Sequence, residues 1–271
     1  MNYATYPLKN MRITQNYNGT TSHKPHTQGN YKDYPIDDGG KDTSREGVYC
    51  PCDEIKIVRL YGERNKGTNT IFFESTSECV FPDGTSDYLC GLITHSNDAD
   101  LAKLDVGQKI KRGKLICNEG TDGGVGMHTH LSFGKGKLLG NGWRENSKGK
   151  YVLHCSGGAF KPEKLLYVDK KFTKVISSKG LTFKELPAYK KGIYKVTADV
   201  LNVRTGAGTS YAKKAFNMLT ANAQTQIKKL NGGKSANGLV KGCTCTVSAV
   251  KGNWGKIPSG WICLDYCERV D

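Results

Sequence analysis

The chain has 271 residues, and forty Lys and Arg against twenty-five Asp and Glu give it a formal net charge of +15. This length suits one large domain or two ordinary ones with a real core, and no run approaches the roughly 20 apolar residues of a membrane span, so we expect no membrane insertion. The charge favours an anionic partner such as nucleic acid, an anionic membrane or an anionic cell wall, but without a dense basic block, a helix-turn-helix or a Cys/His finger spacing we expect no nucleic-acid partner.

The start of the chain and its ten cysteines bear on where the protein is made. Residues 1–7 contain no apolar segment of the kind found in a secretory signal, so we expect synthesis in the cytoplasm and another route of exit. Cysteines in such a chain are expected to be reduced thiols, although the sequence assigns no redox state. A structural zinc held by the last four is an alternative, but their spacing is not a common one. The last four are Cys243, Cys245, Cys263 and Cys267.

Short strands and loops are predicted for the first 60 residues. Residues 11–17 read as a strand, which ends at an Asn-Gly turn signal. His23 and His26 follow in the segment 22–26, and a polar loop then leads to Asp37. Alone, such a group is weak evidence for a site, because turn regions are commonly rich in Asp and His.

Three further strands are predicted in the middle of the chain, and His95 stands where the last of them ends. The segment 104–116 alternates and turns at its glycines, as a hairpin does. Residues 120–126 form a glycine-rich loop, and Pro162 stands near the start of a short helix. The three strands are 54–60, 70–74 and 88–95.

The glycine-rich loop leads into residues 126–133, GMHTHLSF, which read as a strand. Side chains alternate along a strand, so His128, His130 and Ser132 share one face, and the opposite face is apolar enough to pack on a core. Two imidazoles at this spacing can reach one point in front of the sheet. Neutral imidazole is the commonest zinc ligand, and a catalytic zinc needs three protein ligands and a water. Two surface histidines in a strand are the alternative interpretation.

The last third of the chain differs in composition. Residues 169–190 are rich in Lys and are predicted to form a linker. Residues 191–271 then read as short strands in a compact barrel, a size normal for a small domain. They hold twelve Lys and Arg against four acidic residues, so more than half of the excess positive charge lies in less than a third of the chain.

Residues 11–168 resemble the lysostaphin- and LasA-type zinc endopeptidases, which cut peptide bonds in bacterial peptidoglycan. The resemblance rests on an ordered set of motifs: an early His with a following Asp, Thr94-His95 with the downstream segment 106–113, and the segment 124–133 around His-x-His. It implies a mainly β fold, with an antiparallel β-sheet zinc peptidase domain over residues 1–168.

The resemblance also implies roles for the histidines. His130 would bind Zn²⁺ together with Asp37 and an early histidine. His95 and His128 would not bind metal but would act on the water and on the developing oxyanion. Met127 stands where relatives usually place Pro or Asn.

The early ligand is either His23 or His26. A long insertion separates them from Asp37, as in the LasA-like branch, so both are eligible. We favour His23, because it follows the turn after the first strand most directly and ligands on rigid elements are held better.

Residues from about 193 to 271 look like a bacterial SH3-like wall-binding domain, so we expect an SH3-like β-barrel over 191–271. This likeness rests on residues 201–211, LNVRTGAGTSY, and on Trp254 and Trp261. It implies that Tyr211, Trp254 and Trp261 contact the wall. Packing in the core of the barrel is the alternative for each.

A peptidase followed by a wall-binding domain, without a signal peptide, is similar to a phage endolysin. The expected partners are peptidoglycan and other cell-wall polymers, reached after holin-type or lysis-dependent release. The alternatives are a catalytically inactive wall-binding or structural protein, a host autolysin and a tail-borne phage enzyme.

Overall fold

The computed structural model describes residues 2–19, 22–39, 45–62 and 68–271. These form two compact units, residues 2–186 and residues 187–271. Each has its own hydrophobic core and is built mainly from β-strands, which confirms the predicted fold class. Within the described ranges, no helix is both long and apolar enough to cross a membrane.

The larger unit consists of strands with a few one-turn helices. Its helices are α1 (Lys24–Gln28), α2 (Asp98–Leu101) and α3 (Pro162–Leu165). Its strands are β1 (Asn10–Gln15), β2 (Ile36–Asp38), β3 (Gly47–Tyr49), β4 (Glu54–Tyr61), β5 (Thr70–Ser75), β6 (Cys79–Val80), β7 (Ser86–Asp87), β8 (Leu89–Thr94), β9 (Lys109–Lys111), β10 (Leu115–Asn118), β11 (Thr129–Lys135), β12 (Leu138–Glu145), β13 (Tyr151–Cys155), β14 (Ala159–Phe160) and β15 (Lys174–Ser177).

One large sheet dominates this unit, with the strand order β15-β1-β2-β11-β8-β5-β4-β9 and with β14 pairing to β11. Its pairings are antiparallel except that of β15 with β1. Leu131 and Phe133 face the main core, as their alternation predicts. The hairpin of β12 and β13 covers part of the opposite face, where Phe72, Leu92 and Leu153 form a second cluster. Strands β5 and β8 are therefore buried on both faces, which explains their continuous apolar runs.

The segment 104–116 is not the hairpin that its pattern suggested. Strand β9 pairs with β4, whereas β10 pairs with β3. Ile110 and Ile116 are both buried in the main core, so each short strand is held by a different neighbour rather than by the other.

The predicted linker, residues 169–190, lies largely inside the larger unit. Its strand β15 adds to β1, and the hydroxyl of Thr173 donates a hydrogen bond to the carbonyl of Leu8 at 2.8 Å. Leu181 is buried in the main core. These contacts place the boundary between the units after residue 186.

The smaller unit is built from short strands in three small sheets. It also contains a helix, α4 (Ala221–Leu230), which the sequence interpretation missed. The hydroxyl of Thr220 caps this helix, and Ile227 packs into the small core. Its strands are β16 (Gly192–Val196), β17 (Val200–Leu201), β18 (Leu239–Val240), β19 (Thr244–Val247), β20 (Ala249–Lys251), β21 (Trp254–Ile257), β22 (Gly260–Cys263) and β23 (Cys267–Arg269). The three sheets have the strand orders β19-β16-β23, β17-β18 and β20-β21-β22.

Candidate metal centre

The candidate site lies at one end of three neighbouring strands of the large sheet, β2, β11 and β8. In the register of this sheet His130 stands opposite Asp37 on one side and opposite Thr94 on the other. His95 follows Thr94 directly, and His23 immediately precedes α1. Strand pairing therefore brings together residues that are far apart in sequence.

His23, Asp37 and His130 meet around one carboxylate oxygen. Asp37 Oδ1 lies 3.1 Å from His23 Nε2 and 3.0 Å from His130 Nδ1. The three ligand atoms lie within 4.8 Å of one another, and the described part of the chain contains no second such group of three His, Cys, Asp or Glu side chains. In particular, the last four cysteines do not form one.

The hydrogen-bond partners of His23 indicate that this group suits a cation. Its Nδ1 lies 3.2 Å from the main-chain carbonyl of Asn16, which can only accept a hydrogen bond. In the neutral ring, Nε2 then points a lone pair at the carboxylate of Asp37, which is favourable only with a proton or a metal ion between them. A carbonyl on the second nitrogen is also what orients a ligating imidazole.

The geometry and the donor types fit zinc. Two imidazole nitrogens and one carboxylate oxygen are a set that catalytic zinc uses. Bonds of 2.0–2.2 Å in a tetrahedron place the ligand atoms about 3.4 Å apart. The distances of 3.0 and 3.1 Å from Asp37 Oδ1 are close to this spacing.

The carboxyl group of Asp37 is ionised at neutral pH. Its burial alone would raise its pKa, but where a proton lies between the carboxylate and a nitrogen of His130 or His23, the resulting hydrogen bonds outweigh that effect and hold the pKa well below its usual range. The carboxylate of Asp37 therefore places one negative charge between the imidazole rings of His23 and His130.

His128 and His95 adjoin the three-residue group. His128 Nδ1 is 2.6 Å from the carbonyl of Gly126, and its Nε2 is 3.7 Å from Asp37 Oδ1. His95 Nδ1 is 2.8 Å from the carbonyl of Asp122, and the His95 and His128 ring centroids are 4.6 Å apart. Each neutral ring thus keeps an unprotonated Nε2.

Burial lowers the pKa of His95 to about 4; the bond to Asp122 opposes the shift, and the neighbouring His130 and His128 add to it. His95 is therefore a neutral imidazole at pH 7. Because the proton of neutral His95 is on Nδ1, its Nε2 must first accept a proton before it can donate one.

His26 lies beside the group but outside it. Its ring centroid is 6.2 Å from that of His23 and 6.0 Å from that of His130. Its Nδ1 is buried, with no hydrogen-bond partner among the described residues. Burial, and then repulsion by His130 and His23, lower the pKa of His26 to about 3. The structure therefore groups Asp37 and His130 with His23.

The loop that carries both early histidines is held by the β12–β13 hairpin. Asn146 Nδ2 donates to the carbonyls of Pro25 at 3.1 Å and Tyr31 at 3.2 Å. The main-chain N–H of Leu153 donates to Asp33 Oδ2 at 3.1 Å. The sequence interpretation missed Asn146 and Asp33, because no local pattern links a hairpin turn to a loop more than 100 residues earlier.

The three aromatic residues proposed for the smaller unit do not share one cavity. Trp254 packs against the small core and lines a cavity of about 660 Å³ together with Tyr266 and Asn202. Tyr211 is 47% exposed, and Trp261 is half-buried in β22 opposite Lys256. Neither Tyr211 nor Trp261 lines that cavity.

Comparisons with known proteins give distant matches. No family model matches the chain. It is similar to Morphogenesis protein 1 of Bacillus phage B103, with 30% identity over 147 residues, which are 52% of this chain and 34% of that protein. The chain thus spans about a third of that relative's length. The chain is also similar to the solution structure of lysostaphin, with 14% identity and a TM-score of 0.31 over 85% of this chain and 80% of that one.

Proposed function

We propose that the chain is a zinc-dependent endopeptidase that hydrolyses peptide bonds of bacterial peptidoglycan, in the cross-bridge or the stem peptide. The observation that carries this proposal is the convergence of His23, Asp37 and His130 on one point, with His95 and His128 beside them. The sequence resemblance to the lysostaphin- and LasA-type enzymes rests on Asp37, on the later histidines and on an early histidine, for which His23 and His26 were both eligible.

In this proposal His23, Asp37 and His130 hold the zinc. Bound zinc polarises the scissile carbonyl and lowers the pKa of a bound water to about 7. His128 takes the proton of the attacking water at Nε2, because its Nδ1 proton is committed to Gly126. His95, whose ring centroid is 4.6 Å from that of His128, would take up this proton at Nε2 from His128 and then support the oxyanion or pass the proton to the leaving amine.

The smaller unit, in this proposal, is an SH3-like wall-binding domain. Its support is the likeness of residues 201–211 to that domain class and its excess of basic over acidic residues. A basic surface attracts the polyanionic walls of Gram-positive bacteria. Among the candidate contacts, Trp254 has the strongest support, because it lines a cavity.

The biological setting that we propose is a phage or prophage endolysin, made in the cytoplasm and acting on the wall after release. A second candidate is an enzyme carried on the phage particle, with the same chemistry. It is favoured by the similarity to a phage protein named for morphogenesis.

Mass spectrometry of the fragments released from purified walls tests the proposed activity. We expect new amine and carboxyl ends within the peptides and no cleavage between the sugars. The matched control is His128→Ala, which removes the proposed base. Wall fragments cut only in the glycan, or no release by a zinc-loaded and folded protein, would rule the proposal out.

A further inference from the structure

We propose that Asp122 is a positioning residue, which acts with Asn69 to hold His95 in one orientation and one tautomer. The inference rests on the proposed function, because the orientation of His95 matters for catalysis only if this ring acts on a substrate. Neither Asp122 nor Asn69 belongs to the three-residue metal group.

The backbone of His95 has a conformation that its own side chain disfavours. Its φ is +76°, in the left-handed region, a conformation that it shares with Lys179 alone among the described non-glycine residues. Such a residue keeps this conformation only when its surroundings impose it, and such cases cluster at functional sites.

Two residues account for three polar groups of His95. Its main-chain N–H donates to the carbonyl of Asn69 at 3.0 Å. Its carbonyl accepts a bond from the N–H of Asp122 at 3.3 Å, and its Nδ1 donates to the carbonyl of Asp122 at 2.8 Å. The backbone and the ring of His95 are thus held from two sides.

These two residues are also bonded to each other. The carboxylate oxygen Oδ2 of Asp122 accepts the main-chain N–H of Asn69 at 2.6 Å. Asn69 is fully buried, and its Nδ2 donates to the carbonyl of Ser96 at 2.9 Å and to Asp98 Oδ1 at 2.6 Å. Asn69 is therefore a fixed anchor, and the carboxylate of Asp122 ties the neighbouring loop to it.

The loop of residues 120–126 needs such a hydrogen bond to be held in place, because it is rich in glycine. Gly123 and Gly124 both have positive φ, and a Cβ atom at Gly120 would lie 2.0 Å from the carbonyl oxygen of His95. Glycine at position 120 lets the loop pass this close to His95. Glycine also loses more conformational entropy than any other residue when its backbone is fixed. The bond from Asp122 to Asn69 removes that freedom at the residue whose carbonyl holds His95 Nδ1.

The chemical consequence is a fixed tautomer. With the Nδ1 proton held by the carbonyl of Asp122, the neutral ring keeps its lone pair on Nε2. The His95 ring lies with its centroid 4.6 Å from that of His128 and 6.0 Å from that of His130. Loss of the tie would release the loop and allow both tautomers, without removing a zinc ligand.

The test compares Asp122→Ala with Asp122→Asn and Thr121→Ala in the full-length, zinc-loaded chain. Asp122→Asn keeps an oxygen that can accept the bond from Asn69. Thr121 is exposed in the same loop, so its variant is the matched control. On a soluble muropeptide we expect Asp122→Ala to lower kcat roughly tenfold to a hundredfold at constant KM and full zinc content, because small misplacement of a catalytic group is costly. Asp122→Asn should recover most of the loss, and Thr121→Ala should match the wild type.

Two further measurements show that the effect passes through His95. Asp122→Ala should cost nothing further in a His95→Ala background, since coupled residues are not additive. Histidine-selective ¹⁵N NMR of the zinc-loaded protein should show His95 protonated at Nδ1 in the wild type and as a mixture of tautomers in Asp122→Ala.

The proposal is overturned if the His95 tautomer is unchanged in Asp122→Ala. It is equally overturned if kcat of Asp122→Ala matches that of Thr121→Ala, or if Asp122→Asn is as impaired as Asp122→Ala. The NMR result is independent of turnover, so a wild-type chain with no peptidase activity would refute the proposed function and leave the positioning of His95 to be judged by its spectrum.

Discussion

At the scale of single residues, three imidazoles share one arrangement. His23, His95 and His128 each place Nδ1 against a main-chain carbonyl, at 3.2, 2.8 and 2.6 Å respectively. A carbonyl fixes the proton on that nitrogen and leaves Nε2 as the reactive atom. His130 differs, because its Nδ1 faces Asp37. Main-chain carbonyls in the loops around the sheet thus leave Nε2 of each ring as the atom that our proposal assigns to metal binding or proton transfer.

The ligand and base roles should separate on mutation. We expect His130→Ala and Asp37→Ala to lose bound zinc, because each removes an atom of the three-residue group. His128→Ala should keep its zinc and lose turnover by roughly a hundredfold or more, as for a lost proton-transfer group. Zinc content by atomic emission, beside turnover on soluble muropeptide, measures both. Loss of zinc from His128→Ala would reverse the assignment of ligand and base.

The choice between the two early histidines has an equally direct test. We expect His23→Ala to lose zinc, because its Nε2 lies against the shared carboxylate, and His26→Ala to retain it. Equilibrium dialysis of the two variants against the same zinc buffer provides the comparison. Retention by His23→Ala together with loss from His26→Ala would identify His26 as the ligand.

The sequence predicts the part of this site that depends on a single strand. Alternation along residues 128–133 places His128 and His130 on the face opposite Leu131, and the structure agrees. The partnership of His95 with Asn69 and Asp122 was not predictable, because it depends on the register of β5 and β8 and on a loop almost 30 residues further along. The left-handed φ of His95 was also not predictable, because few non-glycine residues adopt that conformation and nothing in the local sequence marks this histidine as one of them.

At the scale of elements, the β12–β13 hairpin supports the loop that carries His23. Asn146 is buried at the turn of this hairpin and donates to the carbonyls of Pro25 and Tyr31. We expect Asn146→Ala to weaken zinc binding by roughly tenfold, in the range seen for residues that support metal ligands. Competition with a chromogenic chelator measures this affinity.

Lys148→Ala is the matched control for that variant, because Lys148 is exposed in the same turn. It should bind zinc as the wild type does. Equal zinc affinity of Asn146→Ala and Lys148→Ala would show that the hairpin does not support the metal centre.

Several elements show where pattern reading succeeds and where it fails. The apolar runs of β5 and β8 predict strands, and the structure agrees. Both strands are buried on both faces, and such strands have nearly continuous apolar sequences. The sequence around β15 predicts a linker, because Val175 and Ile176 are exposed and lie among lysines, whereas the strand is held by its pairing with β1. Helix α4 was missed because its core contact is mainly one residue, Ile227.

At the scale of the whole molecule, each unit has its own core, so the units can be separated experimentally. We expect deletion of residues 187–271 to leave zinc binding and cleavage of soluble muropeptides intact and to weaken lysis of whole walls. The reason is that this unit carries most of the excess positive charge. A truncated chain that is folded and zinc-loaded but inert on the soluble substrate would show that the two units are not independent.

Salt distinguishes two ways in which the smaller unit can hold the wall. Exposed charges are screened beyond about 8–10 Å at 0.1–0.15 M salt, so binding through lysines should fall as salt rises. Sedimentation of the full-length chain with purified walls across a salt series measures this, beside the chain without residues 187–271. Binding that is independent of salt and lost in Trp254→Ala would assign recognition to the cavity of that residue instead. Equal sedimentation of both chains at low salt would remove the binding role.

The most direct test of the central claim is the dependence of peptide cleavage on zinc. The full-length chain is stripped with a strong chelator, zinc is returned stepwise, and the peptide fragments released from soluble muropeptides are followed by mass spectrometry. Our account predicts that cleavage disappears with the metal and returns in proportion to zinc, reaching its full rate at one ion per chain. Full cleavage by a chain from which zinc is demonstrably absent would contradict it.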